Sequence, residues 1–218
     1  MLESILPPGV AVVATCEDIL DEGLFAEEEQ AVARAVEKRR REFTTARACA
    51  RAALRQLGEP AQAIPTGARG EPRWPKGIVG SITHCDGYRA CALARDADLA
   101  TLGVDAEPNE ALPDGLLGDI ALPEERAQLA ALARERPGVS WDRLLFSSKE
   151  SVYKAWFPLA ERWLGFEDAM IVIDPHAGTF SARLLVPGPP LGDRELSGFT
   201  GRWLAWDRLV FTAIAVSA

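Results

Sequence analysis

The residues best suited to chemistry lie in Gly103-Val104-Asp105-Ala106-Glu107. They follow Leu99-Ala100-Thr101-Leu102, an apolar run that reads as a strand. Alternate residues of a strand share a face, so Asp105 and Glu107 are expected to point the same way. They are placed at the exposed end of that strand, where the acidic loop Pro108-Asn109-Glu110 begins. Two carboxylates side by side repel each other. A hard cation such as Mg2+ relieves the repulsion by taking oxygen ligands from both. Taken alone, Asp-x-Glu more often marks a strand entering a solvated loop, so its weight depends on other segments.

A helix is the first of these. Trp141 to Phe157 reads as helical, stopped by Pro158, with Leu145, Val152 and Trp156 as its apolar stripe. Glu150 and Lys154 stand four apart and are therefore neighbours. Ser147-x-x-Glu150 also fits a capping box, which would give Glu150 a structural task at a helix start. Leu144, Leu145 and Phe146 argue instead that the helix is already running there.

A basic segment is the second. Lys38-Arg39-Arg40-Arg41 opens it, and Arg47, Arg51 and Arg55 follow. Helical character begins at Ala26-Glu27-Glu28-Glu29 and, with room for one break, runs to Leu57; Gly58 and Pro60 stop it. On an ideal helix Arg40 lies nearly over Arg47, and Arg39 is turned from Arg47 by roughly 80°. Arg47 can act with either, so helix geometry does not choose. Thr83 and His84 close the first strand of a hairpin, Ile78 to His84 and Tyr88 to Arg95, turned by Cys85-Asp86-Gly87.

These candidates sit in a globular chain of 218 residues, 48% hydrophobic and 26% charged. With 32 acidic against 24 basic residues the net charge is -8. That argues against a nucleic-acid partner, whose phosphates a binder must neutralise. A local basic face on an acidic protein suits a small anionic ligand better. Cys16, Cys49, Cys85 and Cys91 are scattered and read as free thiols of a reducing cytoplasm. The N-terminus has no basic region followed by an apolar run, and no stretch is long and apolar enough to span a membrane. A cytoplasmic protein without a membrane partner is expected.

The rest of the chain supplies supports. Gly9 to Cys16 is a short buried strand and Glu17 to Phe25 a loop. Pro60 to Gly77 is loop, carrying Thr66 and Arg69-Gly70-Glu71-Pro72-Arg73-Trp74-Pro75. Leu122-Pro123-Glu124-Glu125 opens a helix that ends near Arg136-Pro137-Gly138. Met170 to Asp174, Thr179 to Val186, Arg202 to Trp206 and Leu209 to Val216 read as strands. Both halves therefore run helices first and an antiparallel hairpin after, without a residue-level repeat. Six tryptophans read as core and packing residues.

Three segments together resemble the Sfp/EntD type of 4'-phosphopantetheinyl transferase, in its actinobacterial branch. They are Gly80-Ser81-Ile82-Thr83-His84-Cys85-Asp86-Gly87-Tyr88, Gly103-Val104-Asp105-Ala106-Glu107, and Phe146-Ser147-Ser148-Lys149-Glu150-Ser151-Val152-Tyr153-Lys154-Ala155-Trp156. Arg39 through Phe43, Arg47 through Arg51, the Arg69–Pro75 run and Trp163-Leu164-Gly165-Phe166 add to the likeness. It covers nearly the whole chain.

The resemblance implies an α+β fold, a pseudo-dimer of two similar α+β subdomains with the site between them. The division is placed at 1–104, gripping the nucleotide, and 105–218, carrying the metal and catalytic motifs. The resemblance also implies transfer of 4'-phosphopantetheine from coenzyme A to a serine of an apo acyl or peptidyl carrier protein, releasing adenosine 3',5'-bisphosphate. Such carriers serve fatty acid, polyketide and nonribosomal peptide synthesis. Asp105, Glu107 and Glu150 would hold Mg2+; Glu150, Lys154 and Glu107 would carry the chemistry. Coenzyme A would be met by Arg39, Arg47, Thr66, Arg69, Thr83, His84, Asp105, Lys149 and Lys154. Close relatives place a lysine where this chain has Thr66, and Arg69 is the nearby substitute. A monomer is expected, with residues 109–122 part of the carrier-docking surface. Two other classes compete: a Mg2+-dependent phosphohydrolase acting on coenzyme A or a nucleotide, and a non-catalytic carrier binder.

Overall fold

The structure is a computed structural model that describes residues 1–19 and 21–218; Leu20, within the loop expected from Glu17 to Phe25, lies outside the described residues. The fold is α+β. A 3-10 turn (Leu2–Ile5) precedes β1 (Ala11–Thr15), α1 (Ala26–Glu29), a second 3-10 turn (Gln30–Val32) and α2 (Glu37–Gln56). Then come β2 (Ile78–Cys85), β3 (Tyr88–Arg95), β4 (Leu99–Pro108), α3 (Leu116–Ile120), α4 (Pro123–Glu135) and α5 (Trp141–Ala160). The chain ends in β5 (Ala169–Asp174), β6 (Thr179–Leu184), the short β7 (Pro190–Leu191) and β8 (Arg194–Glu195), β9 (Gly198–Trp206) and β10 (Leu209–Ser217).

Two main antiparallel sheets result, ordered β1-β3-β2 and β4-β10-β9-β6-β5. β4 is paired along its length with β10, Asp105 opposite Thr212 and Glu107 opposite Val210. A division at 104/105 would therefore cut a strand; the sheets divide at the turn 96–98, between β3 and β4. The acidic pair is not at a strand end either. β4 runs on to Pro108, and Asp105 is only 3% exposed.

Three apolar clusters follow from strand alternation. On one face of the first sheet, Cys91 and Leu93 meet Ala50, Ala53 and Leu54 of α2. On its other face Tyr88, Ala90 and Ala92 share a core with Leu102, Val104 and Ala106 of β4, Phe211 of β10, and Leu2 and Ile5 of the N-terminal turn. α4 and α5 cover the second sheet, with Leu129, Leu144 and Trp156 packed on Ile171, Phe180 and Val210.

β4 and β2 are the edge strands of their sheets, and they meet through side chains. Val104 N donates to Ser81 Oγ at 3.0 Å and Ala106 N to Thr83 Oγ1 at 2.9 Å. Hydroxyls thus satisfy backbone groups that would otherwise be orphaned at a buried edge. On the opposite side β4 presses on α5. A Cβ on Gly103 would lie 2.1 Å from the Ser151 carbonyl oxygen, so only glycine allows this approach.

One helix expectation is corrected and one is borne out. α5 continues through Pro158 to Ala160 and ends at Glu161 in the left-handed region (φ 51°). A proline near a helix end removes one backbone donor without breaking the turn. Ser147 lies inside α5 with its hydroxyl 2.9 Å from Thr212 Oγ1, so Ser147 and Glu150 form no capping box.

Candidate active site

A cavity of about 910 Å3 opens between the two halves. α2 and β2 form one wall, β4 and α5 the other. Arg39, Arg47, Arg69, Thr83, His84, Asp105, Glu107, Glu150 and Lys154 all line it. Residues more than a hundred positions apart in sequence are thereby brought together.

Asp105 is the most constrained of them. Its Oδ1 accepts from Lys154 Nζ at 2.7 Å and from Thr83 Oγ1 at 3.1 Å. Its Oδ2 is buried and has no hydrogen-bond partner among the described residues. A buried unpaired carboxylate oxygen is costly, and a cation is one group that would satisfy it. Lys154 spends a second N–H on the Val104 carbonyl at 3.1 Å, which leaves one of three for the cavity.

Glu107 Oε2 accepts from Arg143 Nη1 at 3.2 Å. Burial, reinforced by Asp105, pushes the Glu107 carboxyl up to about 7. Burial also raises the Glu150 carboxyl, against the pull of Lys154. Among the described residues no three His, Cys, Asp or Glu side chains are grouped closely enough to hold a metal ion unaided. Mg2+ is usually bound through one or two carboxylates, so the donor here that fits such an ion is the unpartnered Asp105 Oδ2.

On the other wall, Arg39 Nη1 donates to His84 Nε2 at 2.5 Å. That nitrogen must be unprotonated to accept. Burial first, and the Arg39 charge second, hold the imidazole below its usual range. Arg40 turns outward and pairs with Glu29 at 2.5 Å. The choice between Arg39 and Arg40, open on the helix alone, goes to Arg39.

Arg47 is 4% exposed and lies over the Phe43 ring. Its Nε donates to the Ile64 carbonyl at 2.9 Å and its Nη2 to Thr66 Oγ1 at 3.0 Å. Arg47 thus braces the loop before Gly67 as well as lining the cavity. Thr66 is occupied with Arg47 and does not face the cavity; Arg69 does.

Lys149 stands apart. Its ammonium is bound to Glu125 Oε2 at 2.9 Å and to the carbonyls of Phe166 at 2.6 Å and Ala169 at 3.0 Å. All three donors are used, and Lys149 is absent from the cavity lining. It stands five positions before Lys154, turned by roughly 140° from that face on an ideal helix, and it joins α5 to α4 and the start of β5.

Several lining residues carry no chemical signature in the sequence. Tyr153 and Phe157 form an aromatic wall with Trp163, Tyr153 lying 5.8 Å from the Phe157 ring and 5.1 Å from the Trp163 ring. Trp74 donates to the Gly80 carbonyl at 3.0 Å. Arg143, outside the cavity lining, is missed by the sequence reading; the signal that could have found it is its place seven positions before Glu150, on the same helix face.

An α+β chain with a basic and a carboxylate wall facing one cavity is matched by known proteins along nearly its whole length. Residues 27–94 match the 4'-phosphopantetheinyl transferase N-terminal domain, and residues 101–203 match the 4'-phosphopantetheinyl transferase superfamily. The chain belongs to this family of transferase enzymes. It is 56% identical over 221 residues to the 4'-phosphopantetheinyl transferase Svp of Streptomyces mobaraensis, covering 100% of this chain and 90% of that one. Identity is 48% over 223 residues to Npt of Nocardia iowensis, covering 99% of each chain. It is 48% over 195 residues to PptT of Mycobacterium tuberculosis, covering 87% of this chain and 85% of that one. No helix among the described residues is long and apolar enough to cross a membrane.

Proposed function

We propose that this transferase moves the 4'-phosphopantetheine arm of coenzyme A onto a serine of an apo acyl or peptidyl carrier protein, with Mg2+ bound. Adenosine 3',5'-bisphosphate is the other product. The observation that carries this reading is the unpaired, buried Oδ2 of Asp105 in a cavity whose facing wall holds Arg39, Arg47 and His84.

The reaction asks for two things. Charge develops on the pyrophosphate oxygens, and the serine hydroxyl must lose a proton as it attacks. Asp105, Glu107 and Glu150 would hold Mg2+, which when bound neutralises charge on those oxygens. Lys154 adds its remaining N–H to the same region, held in place by Asp105 and Val104. Glu150 feels the Lys154 charge, and burial raises its basicity, which suits an acceptor for the serine proton. Arg39, Arg69 and His84 are fitted to the 3'-phosphate end, with Arg47 bracing that wall. These contacts lie on the leaving group and should supply binding and orientation more than rate. The aromatic wall of Tyr153 and Phe157 offers an apolar surface that a simple phosphohydrolase has no need of.

The test is mass spectrometry of an apo carrier protein incubated with this enzyme, coenzyme A and Mg2+. A gain of one phosphopantetheine is expected, dependent on Mg2+. Cleaved coenzyme A with an unmodified carrier would favour the phosphohydrolase. Binding without change to either would favour a carrier binder.

A further inference from the structure

We infer that Arg143 is a positioning residue for Glu107, which rests on the reading above that Asp105 and Glu107 hold Mg2+. Arg143 shares a face of α5 with Glu150 and Lys154, seven and eleven positions later, within about 20° on an ideal helix. α5 therefore sets a cation against each carboxylate of β4. Lys154 meets Asp105, and Arg143 meets Glu107, each partner of the second pair 17% exposed at its side chain.

The guanidinium does more than pair a charge. Nη1 donates to Glu107 Oε2 at 3.2 Å, Nε to the Glu110 carbonyl at 3.1 Å and Nη2 to the Ala111 carbonyl at 3.2 Å. Three nitrogens of one rigid plane thus engage three residues of one short segment. The helix start is sewn to the same segment on either side. Asn109 Nδ2 donates to the Gly138 carbonyl at 3.0 Å, Ser140 N to Asn109 Oδ1 at 2.8 Å, and Leu112 N to Asp142 Oδ2 at 2.9 Å. Glu107, which lines the cavity, is consequently held through Oε2 against a fixed frame. A lysine there keeps the charge and cannot reproduce the fork.

The charge and positioning roles give opposite results. A cation whose only effect is its charge repels Mg2+, so Arg143→Gln would bind metal more tightly and Arg143→Lys would match wild type. A positioning fork predicts that both variants bind metal more weakly, by about tenfold or more, as is common when a group that orients a ligand is lost. Mn2+ affinity, measured by electron paramagnetic resonance on the enzyme with coenzyme A bound, is the direct readout. The Mg2+ concentration for half-maximal transfer should rise in parallel, and the KM for coenzyme A at saturating Mg2+ should stay near wild type, because Arg143 does not line the cavity that holds Arg39 and His84. Thermal unfolding confirms that each variant is folded, and Arg143→Lys serves if Arg143→Gln is not. Unchanged or tighter Mn2+ binding in a folded variant overturns the proposal. A wild-type enzyme that transfers without any divalent cation would instead overturn the reading on which it rests.

Discussion

Arg39 and Arg40 are adjacent, equally basic and on one helix, yet they do different things. Arg39 meets His84 on the cavity wall, whereas Arg40 closes a half-exposed pair with Glu29. If Arg39 grips the 3'-phosphate, Arg39→Ala should raise the KM for coenzyme A far more than it lowers kcat. The loss of a charge-assisted contact is on the order of 1.5–3 kcal/mol, roughly ten- to a hundredfold. Arg40→Ala should leave that KM nearly unchanged, since exposed pairs contribute about 0–1 kcal/mol. Dephospho-coenzyme A, which lacks the 3'-phosphate, is the control: wild type should be weakened by the substitution and the Arg39 variant much less so. Equal sensitivity in both would remove Arg39 from that role. Asp105 calls for different handling. It is buried between Thr83 and Lys154, so Asp105→Ala would strand an ammonium as well as remove a ligand; Asp105→Asn is the cleaner variant.

At the scale of elements, the approach of β4 to α5 sets the site. Lys154 and Glu150 are within reach of Asp105 because Gly103 allows the strand backbone to touch the helix at Ser151 and Ala155. Gly103→Ala puts a methyl 2.1 Å from a carbonyl oxygen and 2.8 Å from a backbone nitrogen. Neither atom is the end of a flexible side chain, so strand and helix must separate. The expected cost is about 1–3 kcal/mol in stability, visible as a lower Tm, with transfer reduced beyond what the folded fraction accounts for. A variant with wild-type Tm and rate would show that the contact does not hold the site. Lys149 gives the complementary lesson: on the same helix as Lys154, it is spent on bonding α5 to α4 and β5.

Across the whole molecule, the two sheets share one core. Leu2 and Ile5, at the start of the chain, pack among β4 and β10 residues, and the hydroxyls of Ser81 and Thr83 close the seam between β2 and β4. Each half would expose apolar surface and unpaired backbone groups if it opened alone. Thermal unfolding should accordingly be a single transition, with far-ultraviolet circular dichroism and tryptophan fluorescence coinciding. Two separated midpoints would show halves that fold independently.

The order of the longer helices and strands was legible in the sequence, because periodicity, proline and glycine act over a few residues; the short α3, β7 and β8 were not. So were Asp105, Glu107, Glu150, Lys154, Arg39 and His84 as candidates, through residue type and the resemblance of their segments to a known family. What a side chain meets across the cavity was not, since that depends on elements distant in sequence. Local spacing could not choose Arg39 over Arg40, remove Lys149 from the site, or turn Thr66 toward Arg47. Nor could it place the acidic pair inside a buried strand. β4 reads as the last strand of the first half along the chain. Its hydrogen bonds go to β10, more than a hundred residues later, because pairing obeys the shape of the assembled core.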